Sequence, residues 1–476
     1  YPTHMTTAQE KRDKLTVAHW FVDSIYTDQK VAVRGASKEL LNHIYTVSNP
    51  ARKHPKRHLP QVEIFLLNLL MAYHCTDGVM AISKSSGSYT NNVITYRVTI
   101  ELIVNTLVKS GWLIEHRGFH GGITGCVTRL ELTTQFASWL DASDLDMPQT
   151  KVKQPSKPIV LKDVKKNVIT APEYLKEEVA LMEAKVTFLN TQLGLAHIDL
   201  AVSNDELELI NTKMKKKAIE DSTRESYLFL AKKYLQRKFN NGTLEDGGRF
   251  YDAWWITIPK EWRKYITING RPTVELDYTG MHLQMLYAKE GIDKLGDPYE
   301  IEGVDDQFRG VTKLMFIMIF NAESRESAEG AIKASSKIKT IRNNKHPKGI
   351  KNFDQYLSLL ERKYSVISQY FYSGHGVKLQ SQDSSIVENV MLRMLKEHQA
   401  ITLPIHDSLI VDARYKEQLH DCMLEEFKTF TGATCEVKQK PIADYDSKRL
   451  ESLKDGYVKR GLNVGIEDDL LSLLKS

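Results

Sequence analysis

Two short segments carry an acid where a strand ends. In the first, Pro272-Thr273-Val274-Glu275-Leu276-Asp277-Tyr278, an apolar, β-rich run closes on Asp277, and Thr279-Gly280-Met281-His282-Leu283 leads into a helix-like stretch with Met285, Leu286 and Ala288. In the second, Ile401-Thr402-Leu403-Pro404-Ile405 and Ser408-Leu409-Ile410-Val411 flank His406-Asp407, which reads as a tight hairpin with the acid at its tip. A carboxylate at a strand end is a hard oxygen ligand on a fixed backbone. Two of them on adjacent strands could clamp two Mg²⁺ (or Mn²⁺) ions, one activating a hydroxyl and the other holding a triphosphate, as in-line phosphoryl transfer requires. An isolated strand-end Asp is more often a turn or capping residue, so the pairing carries the reading. A His-Asp dipeptide also occurs in metal-dependent phosphohydrolases, typically on a helix, and the β-rich flanks argue against that.

A second constellation supplies cations. Arg309, Lys313, Phe316 and Phe320 recur at spacings of four, three and four, so one helical face would present two cations and then two aromatics, to phosphates and then to a base. The alternative is a buried helix over 314–320 with the cations reaching solvent along their stems. Residues 309–351 hold ten Lys or Arg and three Glu, a net charge of +7, against +5 for the whole chain. Everything else sums to −2, and a surface that tracks a phosphate backbone accounts for such a bias. Glu275 alternates with Asp277 on one strand face, either as an extra carboxylate or as a salt-bridge partner.

The elements that must position these residues fall into regions. A basic run, Arg52-Lys53-His54-Pro55-Lys56-Arg57-His58, ends an N-terminal segment (1–59). Helices are expected over 61–73 and 95–109, with Gly111 as a stop, then strands over 112–116 and 126–130 around a tip containing Gly118, Gly121, Gly122 and Gly125. Helix, helix and basic two-stranded wing over 60–142 resemble a winged helix-turn-helix domain, which implies duplex DNA binding helped by Arg97, Lys109, Arg117 and His120, or else protein contacts alone. A Pro/Lys/Gln-rich linker (143–170) and a helical region (171–245) follow, then the acid-bearing core (246–445) and a C-terminal segment (446–476). Tyr1 to His4, ahead of Met5, read as a scar outside the fold. Four scattered cysteines (75, 126, 422, 435) read as free thiols of a reducing compartment. No run of eighteen apolar residues occurs, so a cytoplasmic protein that does not span a membrane is expected.

Leu276-Asp277-Tyr278-Thr279-Gly280-Met281-His282-Leu283 resembles motif A of family A DNA polymerases, and Ile405-His406-Asp407-Ser408 resembles motif C, in the His-Asp-Ser form of the related single-subunit RNA polymerases. Three further segments are similar in the family's order: Asp246-Gly247-Gly248-Arg249-Phe250-Tyr251, Arg309-Gly310-Val311-Thr312-Lys313, and Leu379-Gln380 through Met391. The resemblance covers about residues 225–440 and implies an α+β right-hand polymerase with an antiparallel palm, helical fingers and a reduced thumb. It implies that Asp277 and Asp407 are the catalytic metal ligands. Nucleotide would be bound by Arg309, Lys313, Phe316, Phe320, His282 and Tyr278, and primer and template by Arg249, Gln380 and His406, though a turn histidine is as ready a reading of His406. The expected activity is a DNA polymerase without proofreading, serving a phage or mobile element; the alternatives are an RNA polymerase or primase, which would place RNA among the partners, and a non-catalytic DNA-binding protein. No Walker A or N-terminal D-x-E pattern is present. Three departures stand out: Ile317 and Asn321 replace family aromatics, His282 replaces the Glu that crowds a ribose 2′-hydroxyl, and Asp383 replaces a small residue.

Overall fold

The computed structural model describes residues 8–443 apart from 24, 28–29, 90–93, 119–126, 144, 146–149, 222–224, 294–298, 302–303, 305–307, 336–337 and 339–352. The wing tip from 119, with His120, therefore lies outside the described residues, as do six of the ten cations of 309–351 and the C-terminal segment. The fold is mixed α+β, and the chain forms two compact units. One comprises 1–154, 202–233 and 257–262; the other comprises 155–201, 234–256 and 263–476. The stretch 171–245 contributes to both.

In the first unit, helices Lys30–Ser48 and Pro55–Cys75 precede the strand Val79–Ile82. Pro55 opens the second helix at a position where its missing N–H costs nothing. The 95–109 helix runs as a π-helix over Arg97–Val104 and an α-helix over Asn105–Lys109. Strands Leu113–His116 and Thr128–Leu132 pair antiparallel, and the second pairs antiparallel with Val79–Ile82, in a sheet whose far edge is His19–Trp20. The second strand of the wing thus starts two residues later than the β-branched pattern suggests. Leu66, Leu70, Ile103, Leu107, Leu130 and Phe136 fill the core.

The second unit is organised on an antiparallel sheet. Strand Arg271–Tyr278 lies at its centre, with Ser408–Asp412 on one side and Thr402–Ile405 beyond it. On its other side it pairs with Ile266–Ile268 at its start and with Val437–Gln439 at its end. A smaller sheet holds Gln236–Phe239 between Gly247–Tyr251 and Ile159–Lys162. The helix Gly376–His398 packs on Gly247–Tyr251 and on helices Met281–Lys289, Arg309–Asn321 and Lys416–Thr431. Its buried face carries Leu379, Asp383, Ile386, Val387, Val390 and Met394, at helical spacing.

Arg237 fastens that helix to the smaller sheet. Its side chain is 1% exposed, it donates to Gly248 O at 2.7 Å and to Glu388 Oε2 at 2.8 Å, and it lies over the rings of Phe239 and Phe250. Gly248 cannot be replaced cheaply. Its φ is +75°, and a Cβ there would stand 2.4 Å from the Phe239 ring.

Candidate active site

The two acids of the sequence are brought to one place by strand register. Asp277 faces Ser408 across the antiparallel pair, so Asp407 stands one residue away at the hairpin tip. Ile405 pairs directly with Ser408, leaving His406 and Asp407 as a two-residue turn. His406 takes a φ of +59°, a left-handed conformation that costs an ordinary residue roughly 1–2 kcal/mol. Burial, then the negative charge of Asp407, raises the Asp277 carboxyl above its ordinary range, and the ammonium of Lys440 opposes them. Lys440 Nζ lies 2.5 Å from Asp277 Oδ2, delivered by the strand Val437–Gln439, whose Lys438 faces Asp277. Glu275 accepts from Ser408 Oγ at 2.8 Å and lies 3.8 Å from Arg263, so it is a paired residue beside the acids.

Among the described residues no group of three or more His, Cys, Asp or Glu side chains converges in a metal-holding arrangement. A cation held by Asp277 and Asp407 would therefore complete its shell with water and substrate oxygens, the habit of Mg²⁺. The donor set suits such an ion: the negative charge of Asp407 raises the Asp277 carboxyl, and the one counter-charge paired with Asp277 among the described residues is the ammonium of Lys440.

Arg249, His282 and Asp383 form a second cluster. Asp383, wholly buried, accepts from Nε of Arg249 at 3.1 Å, also from its Nη2, and lies 2.7 Å from His282 Nε2. Burial works to raise the Asp383 carboxyl, but the hydrogen bond from His282 and the charge of Arg249 outweigh it and hold it below the usual carboxylate range. For Arg249 burial likewise opposes the charge, and Asp383, then Asp407, more than offset it. Arg249 is thus within electrostatic reach of the hairpin acid. His406 is lowered by burial and by Arg249; its ring lies edge-on to Tyr251 at 6.3 Å, and its Nδ1 is buried without a hydrogen bond.

The helix Arg309–Asn321 exposes Arg309, Lys313, Ile317 and Asn321. Both cations lie over the Tyr299 ring, at 5.4 and 5.7 Å from its centroid. Phe316 and Phe320 do not share that face. They are 2% and 5% exposed and pack on Tyr364 and Phe371, so the aromatic continuation of the cation stripe is a correction to the sequence reading. The four-residue step from Lys313 leads instead to Ile317, 46% exposed. Of the described cations beyond this helix, Arg325 pairs with Glu361 and Lys333 with Glu329, so local acids balance them.

Tyr278 is a second correction. Strand alternation turns it away from Asp277; it is 1% exposed and donates to Met423 O at 2.7 Å, which makes it a core residue. Gln380 is half-buried on the helix Gly376–His398, one turn before Asp383. Lys440 and Tyr299 belong to the site without standing out in the sequence. No local signal marks Lys440; a search for cations on any strand able to pair beside Asp277 would find it.

Among known proteins, no family matches this chain, and no curated protein matches it.

Proposed function

We propose that the chain is a template-directed nucleotidyltransferase, a nucleic-acid polymerase of the right-hand type without proofreading, acting on DNA. The observation that supports this best is the meeting of Asp277 and Asp407 across one strand pair, with Arg249 in electrostatic reach and an exposed Arg309/Lys313 stripe in the same unit. When bound, two Mg²⁺ ions held by these acids supply activation of a hydroxyl and neutralisation of the triphosphate. The protein's own residues do the rest by positioning and charge. Arg309 and Lys313 hold the triphosphate. Arg249, Gln380 and His406 orient the primer end, with the strained turn keeping His406 beside the acid. Glu275 and Ser408 brace the two acid-bearing strands against one another.

In the first unit the winged helix-turn-helix reading stands as part of this proposal, with duplex DNA as its partner. Arg52, Lys53, Lys56 and Arg57 are exposed at the start of the helix Pro55–Cys75, which has no acid in its first turn. Cations there oppose the helix dipole, so they serve an external anion better than they serve the fold. Among the described residues no helix is long and apolar enough to cross a membrane. A cytoplasmic location belongs to the proposal and rests on the scattered cysteines, read as free thiols of a reducing compartment. The RNA polymerase or primase form of the reading is favoured by one feature, His282 in place of an acid. Extension of labelled primers with dNTPs or NTPs and Mg²⁺, on primed and unprimed templates, tests the proposal. Incorporation of neither nucleotide would refute it.

A further inference from the structure

The helix Lys176–Leu195, in the second unit, buries one face and leaves another bare. Val186, Leu189 and Leu193 are buried, and Asn190 anchors the helix by accepting from Leu235 N at 2.7 Å and donating to Leu235 O at 2.9 Å. Away from that face, Leu181, Phe188 and Leu195 are 63%, 50% and 78% exposed. Tyr174, in the 3₁₀ turn Glu173–Leu175 that leads into the helix, is 79% exposed. These four large side chains are spaced by seven, so they drift by only about 20° per heptad and form one stripe. An apolar heptad on a bare face is the pattern that packing against another helix selects. Glu173, Glu177 and Glu178 outnumber Lys176 and Lys185 along it, so neither nucleic acid nor an anionic lipid surface suits this face.

We infer that this stripe pairs with the same stripe of a second copy of the chain, antiparallel, about a two-fold axis that passes between residues 182 and 183. The residues between the large ones support a self-pairing. Each large position meets a smaller one three residues further round the partner's stripe: Leu181 packs on the partner's Ala184 and Tyr174 on the partner's Thr191, while the Phe188 ring lies along the stem of the partner's Glu177. In the same register Glu178 stands beside the partner's Lys185, and the two-fold axis makes that ion pair twice. Lys185 is 48% exposed, although its ammonium also reaches Glu388 at 3.2 Å. The four apolar side chains offer roughly 500 Å² on each copy, so a pair buries about 1,000 Å² before its rim is counted; this is the lower limit of a specific interface, and a dissociation constant of about 1–10 μM is expected. The inference is independent of the polymerase reading.

Sedimentation velocity of the full chain between about 0.5 and 100 μM reads the association, and a monomer–dimer equilibrium is expected in the wild type. Leu181→Glu combined with Phe188→Glu should weaken it at least about tenfold, because each dimer would then bury four unpaired acids. The melting curve by circular dichroism should hold, since both side chains are exposed in the single chain. Oxidative cross-linking reads the orientation. Leu181→Cys mixed with Ala184→Cys should give a disulfide-linked mixed pair, identified by mass, in excess of either protein linked to itself, with the wild type as blank. A wild type that stays monomeric at about 100 μM overturns the inference. So does a dimer that persists in the folded double variant, or a Leu181→Cys protein that links to itself while the mixed pair is absent. Should the double variant lose its folded structure, the cross-link decides on its own.

Discussion

The Lys440 ammonium stands 2.5 Å from Asp277 Oδ2, on the carboxylate that burial and Asp407 together make reluctant to ionise. The protein thus carries its own counter-ion at the acid pair, where a divalent cation would have to compete with it. Lys440→Met should tighten Mn²⁺ binding by roughly three- to tenfold, since the competing charge is partly exposed and screened. Isothermal titration with Mn²⁺ reads this, and unchanged or weaker binding in the variant would count against the acid pair as a cation site.

The helix Arg309–Asn321 separates two roles that its sequence runs together. Phe316→Ala should cost about 3–5 kcal/mol in chemical denaturation, because it empties a site packed by Tyr364 and Phe371. Ile317→Ala, at an exposed position on the Lys313 stripe, should leave stability within about 0.5 kcal/mol and raise the KM for nucleotide. Equal stability losses in the two variants would contradict the burial described.

Much of this site is legible in the sequence wherever the contact is local or set by an alternating period. The hairpin around His406-Asp407 is readable because two apolar runs flank a two-residue gap, and Asp277 because an apolar strand stops there. The face of the Arg309 helix is not, because residues 309, 313, 316 and 320 span a narrow arc whose edge, rather than its centre, is exposed. Only the positions of Tyr364 and Phe371, far along the chain, settle which edge is buried. Asp383 stands out in the sequence as an anomaly without an explanation, since its partners Arg249 and His282 are distant along the chain. The antiparallel core is expected from the strand patterns, while the return of 202–233 to the N-terminal unit has no compositional sign.

In the N-terminal unit, acid should act through His19. Asn68 uses its amide nitrogen on Val22 O and Ile64 O, so its Oδ1 accepts from Nε2–H of His19, and Nδ1 of His19 accepts from the Tyr227 hydroxyl. Burial lowers the His19 pKa from 6.5 to about 4. The folded form therefore binds fewer protons than the unfolded form between these values, and stability falls as pH drops below 6.5, levelling off below about 4. The loss should reach roughly 3 kcal/mol, and His19→Gln should flatten it. Denaturation of both proteins at pH 7, 5 and 4 checks this.

The basic run gives a salt-dependent prediction. Reversing Lys53, Lys56 and Arg57 to Glu should weaken duplex DNA binding and reduce the slope of log K against log salt by about 0.9 for each phosphate that is no longer neutralised. An unchanged slope would assign that surface to a protein partner.

Primer extension by the wild type beside Asp277→Asn and Asp407→Asn, in Mg²⁺ and with both nucleotide types, tests the central claim most directly. Template-dependent extension by the wild type is predicted, with losses of at least about a thousandfold in each variant and no loss of folded structure by circular dichroism. Extension that persists in either variant, or that ignores the template, would contradict it.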